Sequence, residues 1–224
     1  MPVIAIASEI GSEGKTIAQA VAARLGLSIL DHGNIFERFA QHGCWLPKST
    51  TAAQSLATSL ENNWQLRKIG KIIFSEILFL AQKNSMMLHS PFAPYLLAGI
   101  SHIPRIQIRA PVATRAKNLS GAAGNHETEA RQHVRQSDAR IAFILETCFG
   151  VESPNRAEHF DLVADTGWLN SQDWAEQIVD LAQDTDFIPT AASRSKLRTL
   201  AADAAAPCAR ADTMPCTCPS RAQC

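Results

Sequence analysis

The sequence predicts an α/β protein: a five-stranded parallel sheet flanked by helices, with one helical insert between strands two and three and another between strands four and five. Three observations predict it. Short apolar runs alternate with longer stretches of helical periodicity, the arrangement of a parallel sheet with crossover helices. A glycine-containing loop joins the first apolar run to an amphipathic stretch at residues 17–25. At 224 residues, with 46% hydrophobic and 19% charged residues, the chain is long enough and apolar enough for a sizeable core.

The expected strands are VIAIA (3–7), LSIL (27–30), SMML (85–88), RIQIR (105–109) and DLVA (161–164). Residues 51–83 read as a long helical region, because Leu56, Leu60, Trp64, Ile69, Ile73, Ile77 and Leu80 recur at roughly helical spacing. Residues 112–149 form the second helix-rich segment, broken at the glycine-rich LSGAAGN. After Phe187 the pattern dissolves: Arg194, Lys196, Arg198, Arg210 and Arg221 face only Asp203 and Asp212, and large apolar residues are few. Residues 188–224 therefore read as a disordered tail with one short helix at 194–205. Cys208, Cys216, Cys218 and Cys224 lie there at a spacing unlike the usual paired zinc patterns.

The stretch SEIGSEGKT, residues 8–16, carries the clearest chemistry. A strand, a glycine-containing loop and a helix opening on Gly-Lys-Thr form the physical recipe for holding polyphosphate: backbone N–H groups converge there, and the helix dipole adds partial positive charge. Gly11, Ser12, Glu13, Gly14, Lys15 and Thr16 are the candidate binding residues, with Lys15 reaching the terminal phosphates and Thr16 ligating Mg²⁺. The strict motif needs glycine at position 9, where this chain has Glu9, and Glu13 brings a like charge near the phosphates. A tight turn capped by Ser12 is the alternative.

The segment IAIASEIGSEGKTIAQAVAARLGLSILDHGNIFERFA resembles the opening of the cytidylate kinase-like family of P-loop nucleoside monophosphate kinases, which also lacks the first glycine. Gly11, Ser12, Gly14, Ile17, Ala18, Leu25, Gly26 and Asp31 fall on its pattern. IQIRAPVATRAKNL resembles the strand and AP-x-x-x-R segment leading into the family's lid. The lid pattern R-x-x-D-x-x-R is matched in shortened form by Arg135, Asp138 and Arg140, and FDLVADTGWL resembles the terminal strand with its following threonine. The resemblance runs over residues 3–181 in family order.

It implies a P-loop kinase-like domain over residues 1–187, with an acceptor-binding insert at about 42–84 and a lid at about 112–150. It also implies ATP and Mg²⁺ as cofactors and phosphoryl transfer to a nucleoside monophosphate such as CMP. Lys15, Arg115, Arg131, Arg135 and Arg140 are the implied catalytic cations, arginine suiting the lid because its planar fork meets two phosphate oxygens. Asp31, Arg38 and Ser90 are the implied acceptor-side residues, while Asp165 and Thr166 border the nucleotide. Each arginine has an alternative as a surface partner of an acid such as Glu127 or Glu129, and Asp31 as a helix cap.

One departure concerns the acceptor. Where the family carries Gly-Arg-Gly after strand three, this chain has His89, Ser90 and Pro91. Serine supplies no bidentate cation and proline no N–H, so two further readings stand beside the first. One is a small-molecule kinase with a different acceptor; the other is a weak or inactive nucleotide-binding regulator. Arg105 and Arg109, flanking strand four, are candidates to compensate. The formal net charge of zero gives no footing for a nucleic-acid or membrane-surface partner, and the apolar run at the N-terminus breaks at Ser8-Glu9, so a cytoplasmic location is expected.

Overall fold

A computed structural model describes residues 2–31, 63–83, 85–123 and 126–211 of the chain. Its five parallel strands are β1 (Val3–Ser8), β2 (Ser28–Asp31), β3 (Met86–His89), β4 (Arg105–Arg109) and β5 (Leu162–Asp165), in the order β2-β3-β1-β4-β5. Among the described residues the helices are α1 (Gly14–Leu25), α2 (Asn63–Lys83), α3 (Ala93–Leu96), α4 (Val112–Ala123), α5 (Glu127–Phe149), α6 (Ser171–Ala182) and α7 (Ala191–Ala211). The α/β class and the five parallel strands agree with the sequence expectation. Residues 32–62, which hold Arg38 and much of the expected insert, lie outside the described residues.

Both faces of the sheet are covered, and for that reason its central strands read as continuous apolar runs rather than alternating ones. Ile4 and Ile6 of β1, Met87 of β3, and Ile106 and Ile108 of β4 pack with Ile17, Ala18 and Val21 of α1 and Ile178 of α6. Val3 and Ala5 of β1 and Leu88 of β3 face the other way, onto Ile77, Leu78 and Leu80 of α2, Leu145 of α5 and Leu197 of α7. The period-two alternation of side chains thus divides one apolar strand between two cores.

Four strands end one residue later than their apolar runs, on Ser8, Asp31, His89 and Asp165. The ladder decides this: Asp31 pairs in register with His89, Ile6 with His89, and Arg109 with Asp165. Hydrophobicity stops at the last buried residue, whereas backbone pairing continues to a polar one. Those polar residues line the C-terminal edge of the sheet, where open α/β sheets bind ligands.

The largest difference from the sequence expectation lies after residue 187. Ala191–Ala211 is one helix, longer than the expected 194–205 and packed on the body of the protein. Leu197 and Ala201 are 3% and 8% exposed, with Leu200 and Ala204 partly buried beside them. Spacings of three and four residues gather these into one stripe, so a segment poor in large apolar residues still has a face to bury. Its start is fixed by a reciprocal cap in which Thr190 N–H donates to Ser193 Oγ and Ser193 N–H to Thr190 Oγ1. Truncating Leu197 to alanine should lower unfolding stability in urea by about 2–4 kcal/mol; an unchanged midpoint would mean that the helix contributes nothing to the fold.

Candidate functional site

The loop between β1 and α1 is held from beneath by its own side chains. Ser12 is 0% exposed, and its hydroxyl donates to the Glu9 carbonyl at 2.7 Å and to Ile108 O at 3.3 Å, fastening the loop to β4. Gly11 has φ +79°, and a Cβ there would stand 2.6 Å from Arg115 O. A Cβ on Gly14 would stand 2.2 Å from Ser8 Cβ, so Gly11 is required by the backbone of Arg115 and Gly14 by the side chain of Ser8.

Glu13 adopts a left-handed conformation, φ 61°, and its carboxylate accepts a hydrogen bond from Ser171 Oγ at the start of α6. The acid that looks awkward beside phosphate is thus engaged by a neighbouring helix. Lys15 and Thr16 are exposed and make no hydrogen bond or ion pair with another described residue. The N–H groups of Gly14, Lys15 and Thr16 open α1 and have no intrahelical acceptor. A free ammonium, a free hydroxyl and a helix N-terminus suit a polyphosphate and its Mg²⁺. Among the described residues no three His, Cys, Asp or Glu side chains gather to hold a metal by themselves.

Arg115 does not stand free above the phosphates. It is 3% exposed, its Nη1 and Nη2 reach both carboxylate oxygens of Asp138 at 2.9 and 2.8 Å, and its Nε donates to Ala110 O at 3.0 Å. Glu9 Oε2 lies 3.3 Å from the same Nε and accepts the Ala110 N–H at 3.2 Å. Burial raises the Glu9 pKa, with Arg115 and the Ala110 N–H opposing it. For Arg115 burial works against the charge, but the bond to Asp138 and the charge of Glu9 outweigh it and raise its pKa. The residue in the place of the missing glycine is therefore a bracket for the loop, and α4 adds a second tie from Asn118 Nδ2 to Gly11 O at 2.9 Å.

At the neighbouring strand ends, His89 Nε2 lies 2.8 Å from Ser8 Oγ, with Asp31 beside it on β2. Burial lowers the His89 pKa, Asp31 opposes that and Lys15 adds to it, so the net shift favours the neutral imidazole. Ser90 is 1% exposed; its N–H donates to Ile6 O, and its hydroxyl accepts the Phe92 N–H at 3.4 Å. Thr166 Oγ1 donates to Ser12 O at 3.3 Å, which sets the β5 edge against the loop. Arg105 and Arg109 are paired with Asp161 at 2.9 Å and with Asp165 at 3.4 Å, and Arg105 begins its strand at the end away from the loop. They brace β4 and β5 rather than replace a missing acceptor cation.

On α5, Arg131 and Arg135 share the stripe of Asp138 by helical spacing, whereas Arg140 lies roughly 200° round from Asp138. Arg131 pairs with Glu127 at 2.7 Å across one exposed turn. Arg135 and Arg140 have no charged partner among the described residues. Sequence reasoning missed the roles of Glu9, Asp138 and His89; for Glu9 and His89 the available signal was a polar residue at the end of an apolar strand, and for Asp138, inside α5, there was none of that kind.

Known proteins bear on this geometry in three ways. An uncharacterized protein from Eubacterium ventriosum superposes with TM-score 0.63 at 15% identity, over 81% of this chain and 97% of that one. A shikimate kinase from Bacteroides thetaiotaomicron gives TM-score 0.50 at 14% identity, over 81% and 96%, and TT1252 from Thermus thermophilus gives 0.51 at 15%, over 82% and 98%. At such identities these similarities concern the fold alone, which is that of the P-loop kinases. No curated protein matches the sequence. The sequence of residues 3–167 does match a family, and on that match the chain belongs to the cytidylate kinase-like family.

Proposed function

We propose that this protein transfers the γ-phosphoryl group of ATP to a small acceptor, a nucleoside monophosphate such as CMP being the first to test. The observation that carries this reading is the loop of residues 9–16, braced on every side yet leaving Lys15, Thr16 and the first N–H groups of α1 unpartnered by other described residues. Lys15 neutralises charge at the terminal phosphates, the N–H groups of Gly14, Lys15 and Thr16 hold the oxygens, and the Thr16 hydroxyl contributes to Mg²⁺. Mg²⁺, when bound, supplies further neutralisation of the phosphate charge. Residues 112–150 act as the lid, with Arg131 and Arg135 as its phosphate-facing cations. Arg140, on another face of α5, takes part only if the helix turns. The insert at about 42–84, together with Asp31 and Arg38 ahead of it, completes the acceptor side.

A second reading has its own support. Ser90 is buried and Pro91 has no N–H, so this edge offers no cation for an acceptor phosphate. An acceptor without a phosphate, phosphorylated on a hydroxyl, fits that edge better. A nucleotide-binding regulator with the same loop is the remaining alternative. No helix among the described residues is long and apolar enough to cross a membrane, and a cytoplasmic site would give access to ATP.

Trp168 extends the nucleotide site in this proposal. It is 89% exposed, two residues beyond Thr166, whose hydroxyl touches the loop. A large apolar ring left open beside a phosphate site offers a stacking face for a purine. ATP should quench or shift indole fluorescence in the parent protein, and Trp168→Leu should abolish most of that change while weakening ATP affinity severalfold. The same signal in both proteins would remove Trp168 from the site. In calorimetry with Mg²⁺, Lys15→Ala should weaken ATP binding by roughly 10–100-fold, the loss expected for a charge-assisted contact. ADP release with CMP, dCMP, UMP, AMP or a hydroxyl acceptor then identifies the acceptor. Equal ATP binding by the parent and Lys15→Ala would overturn the kinase reading.

A further inference from the structure

Gln107 is a polar residue in the middle of a buried strand. Ile106 and Ile108 on either side are both 0% exposed, and Gln107 itself is 4% exposed. One end of its amide is satisfied, Nε2 donating to Asn155 Oδ1 at 3.2 Å. The other end, Oε1, has no hydrogen-bond partner. Turning this amide over alone would set its oxygen against Asn155 Oδ1 and lose the one bond that it makes. A buried polar atom without a partner destabilises the fold, so a residue needed only to fill space here would be apolar.

Gln107 lines a partly open cavity of about 60 Å³, walled also by Ala7, Glu9, Asp138, Ala142 and Asn155. The cavity begins where β1 enters the phosphate loop and ends against α5. Its polar wall is unbalanced. The Arg115 guanidinium is already shared between Glu9 and Asp138, and the hydroxyl of Tyr95, another wall residue, donates to Pro154 O at 2.6 Å. What remains toward the interior is the bare Oε1 beside two carboxylates, with the Asn155 amide at the rim. The carboxylates disfavour an anion, whereas an O–H or N–H group finds an acceptor in Oε1.

We infer that this cavity receives an uncharged hydrogen-bond-donating group of the phosphoryl acceptor, an amine or a hydroxyl, and that Gln107 Oε1 is the atom that reads it. The inference rests on the kinase reading above and adds to it a requirement on the substrate. The acceptor carries a donor group apart from the oxygen that is phosphorylated, and a phosphate does not enter this cavity. The two sources of such a group, a nucleobase amine and a polyol hydroxyl, are separable because CMP and UMP differ by an amine against a carbonyl, while ribitol offers hydroxyls alone.

The test follows the side-chain amide resonances of Gln107, assigned by their loss in Gln107→Met, while CMP, UMP and ribitol are added to the full chain without ATP. Binding is measured in parallel on the parent, Gln107→Met and Asn155→Asp, each checked for a cooperative thermal melt. CMP in preference to UMP identifies the amine, and ribitol identifies the hydroxyl; the ligand that binds should shift the Gln107 resonances. Gln107→Met should weaken it roughly tenfold, the share of one neutral hydrogen bond. Asn155→Asp, where the new carboxylate keeps Nε2 on the rim and Oε1 in the cavity, should retain it. Unmoved resonances with all three probes would mean that the cavity holds only water, and equal affinity in the parent and Gln107→Met, or equal losses in both variants, would overturn the assignment. Because the resonances are read without ATP, this outcome is independent of Lys15→Ala, whose ATP binding decides the kinase reading.

Discussion

Arg115 is enclosed by Glu9, Asp138 and the carbonyl of Ala110, and these three partners come from the start of the loop, from α5 and from the exit of β4. Its own backbone carbonyl is the surface against which Gly11 must fit without a side chain. A guanidinium so buried is tolerated only while its partners are in place, since removing one leaves an uncompensated charge in the interior. The conformation of the loop, the seating of α4 and the position of α5 over the sheet therefore depend on one another. Glu9 is the joint in this arrangement, bonding to the backbone of Ala110 as well as to Arg115.

That bracket leaves the opposite side of the loop open. Ser12 is turned inward, Glu13 is drawn toward α6, and Lys15 and Thr16 are left at the start of α1. Unmet N–H groups at a helix start cost little in water and gain much from an anion, so a pre-formed loop of this kind needs no ordering before it meets one. The polar residues that end β1, β2, β3 and β5 stand on the same edge. Parallel pairing places every strand's C-terminus there, so one loop and several strand ends meet without any long connection having to fold over them.

The same sheet shows why the acceptor side differs from the pattern of its family. His89 is occupied with Ser8, and Ser90 is folded into the turn that leads to α3. The polarity available near the loop lies instead on β4, in Gln107, and on the rim, in Asn155. On the inference drawn above, the acceptor is read from β4, on the other side of β1 from β3.

Much of this architecture is legible in local chemistry. Apolar runs at strand length mark strands because a parallel sheet buries both faces, and Gly11, Gly14 and Lys15 mark a phosphate loop because backbone curvature and charge are properties of the residues themselves. The helix at Ala191–Ala211 was not legible in the same way, since its stability comes from Leu197 and Ala201 joining the core beside α2 rather than from its own composition. Nor was the placement of Arg115, which by sequence resembles a lid cation and by structure is a buried brace; whether a charge faces solvent or two carboxylates is decided by what folds against it. The orphaned oxygen of Gln107 belongs to the same class. The sequence by itself determined the sheet, the phosphate loop and the family, all of them written in contiguous residues, while the partners of Glu9, Arg115, His89 and Gln107 were decided only by tertiary structure, because each lies far along the chain from the residue it serves.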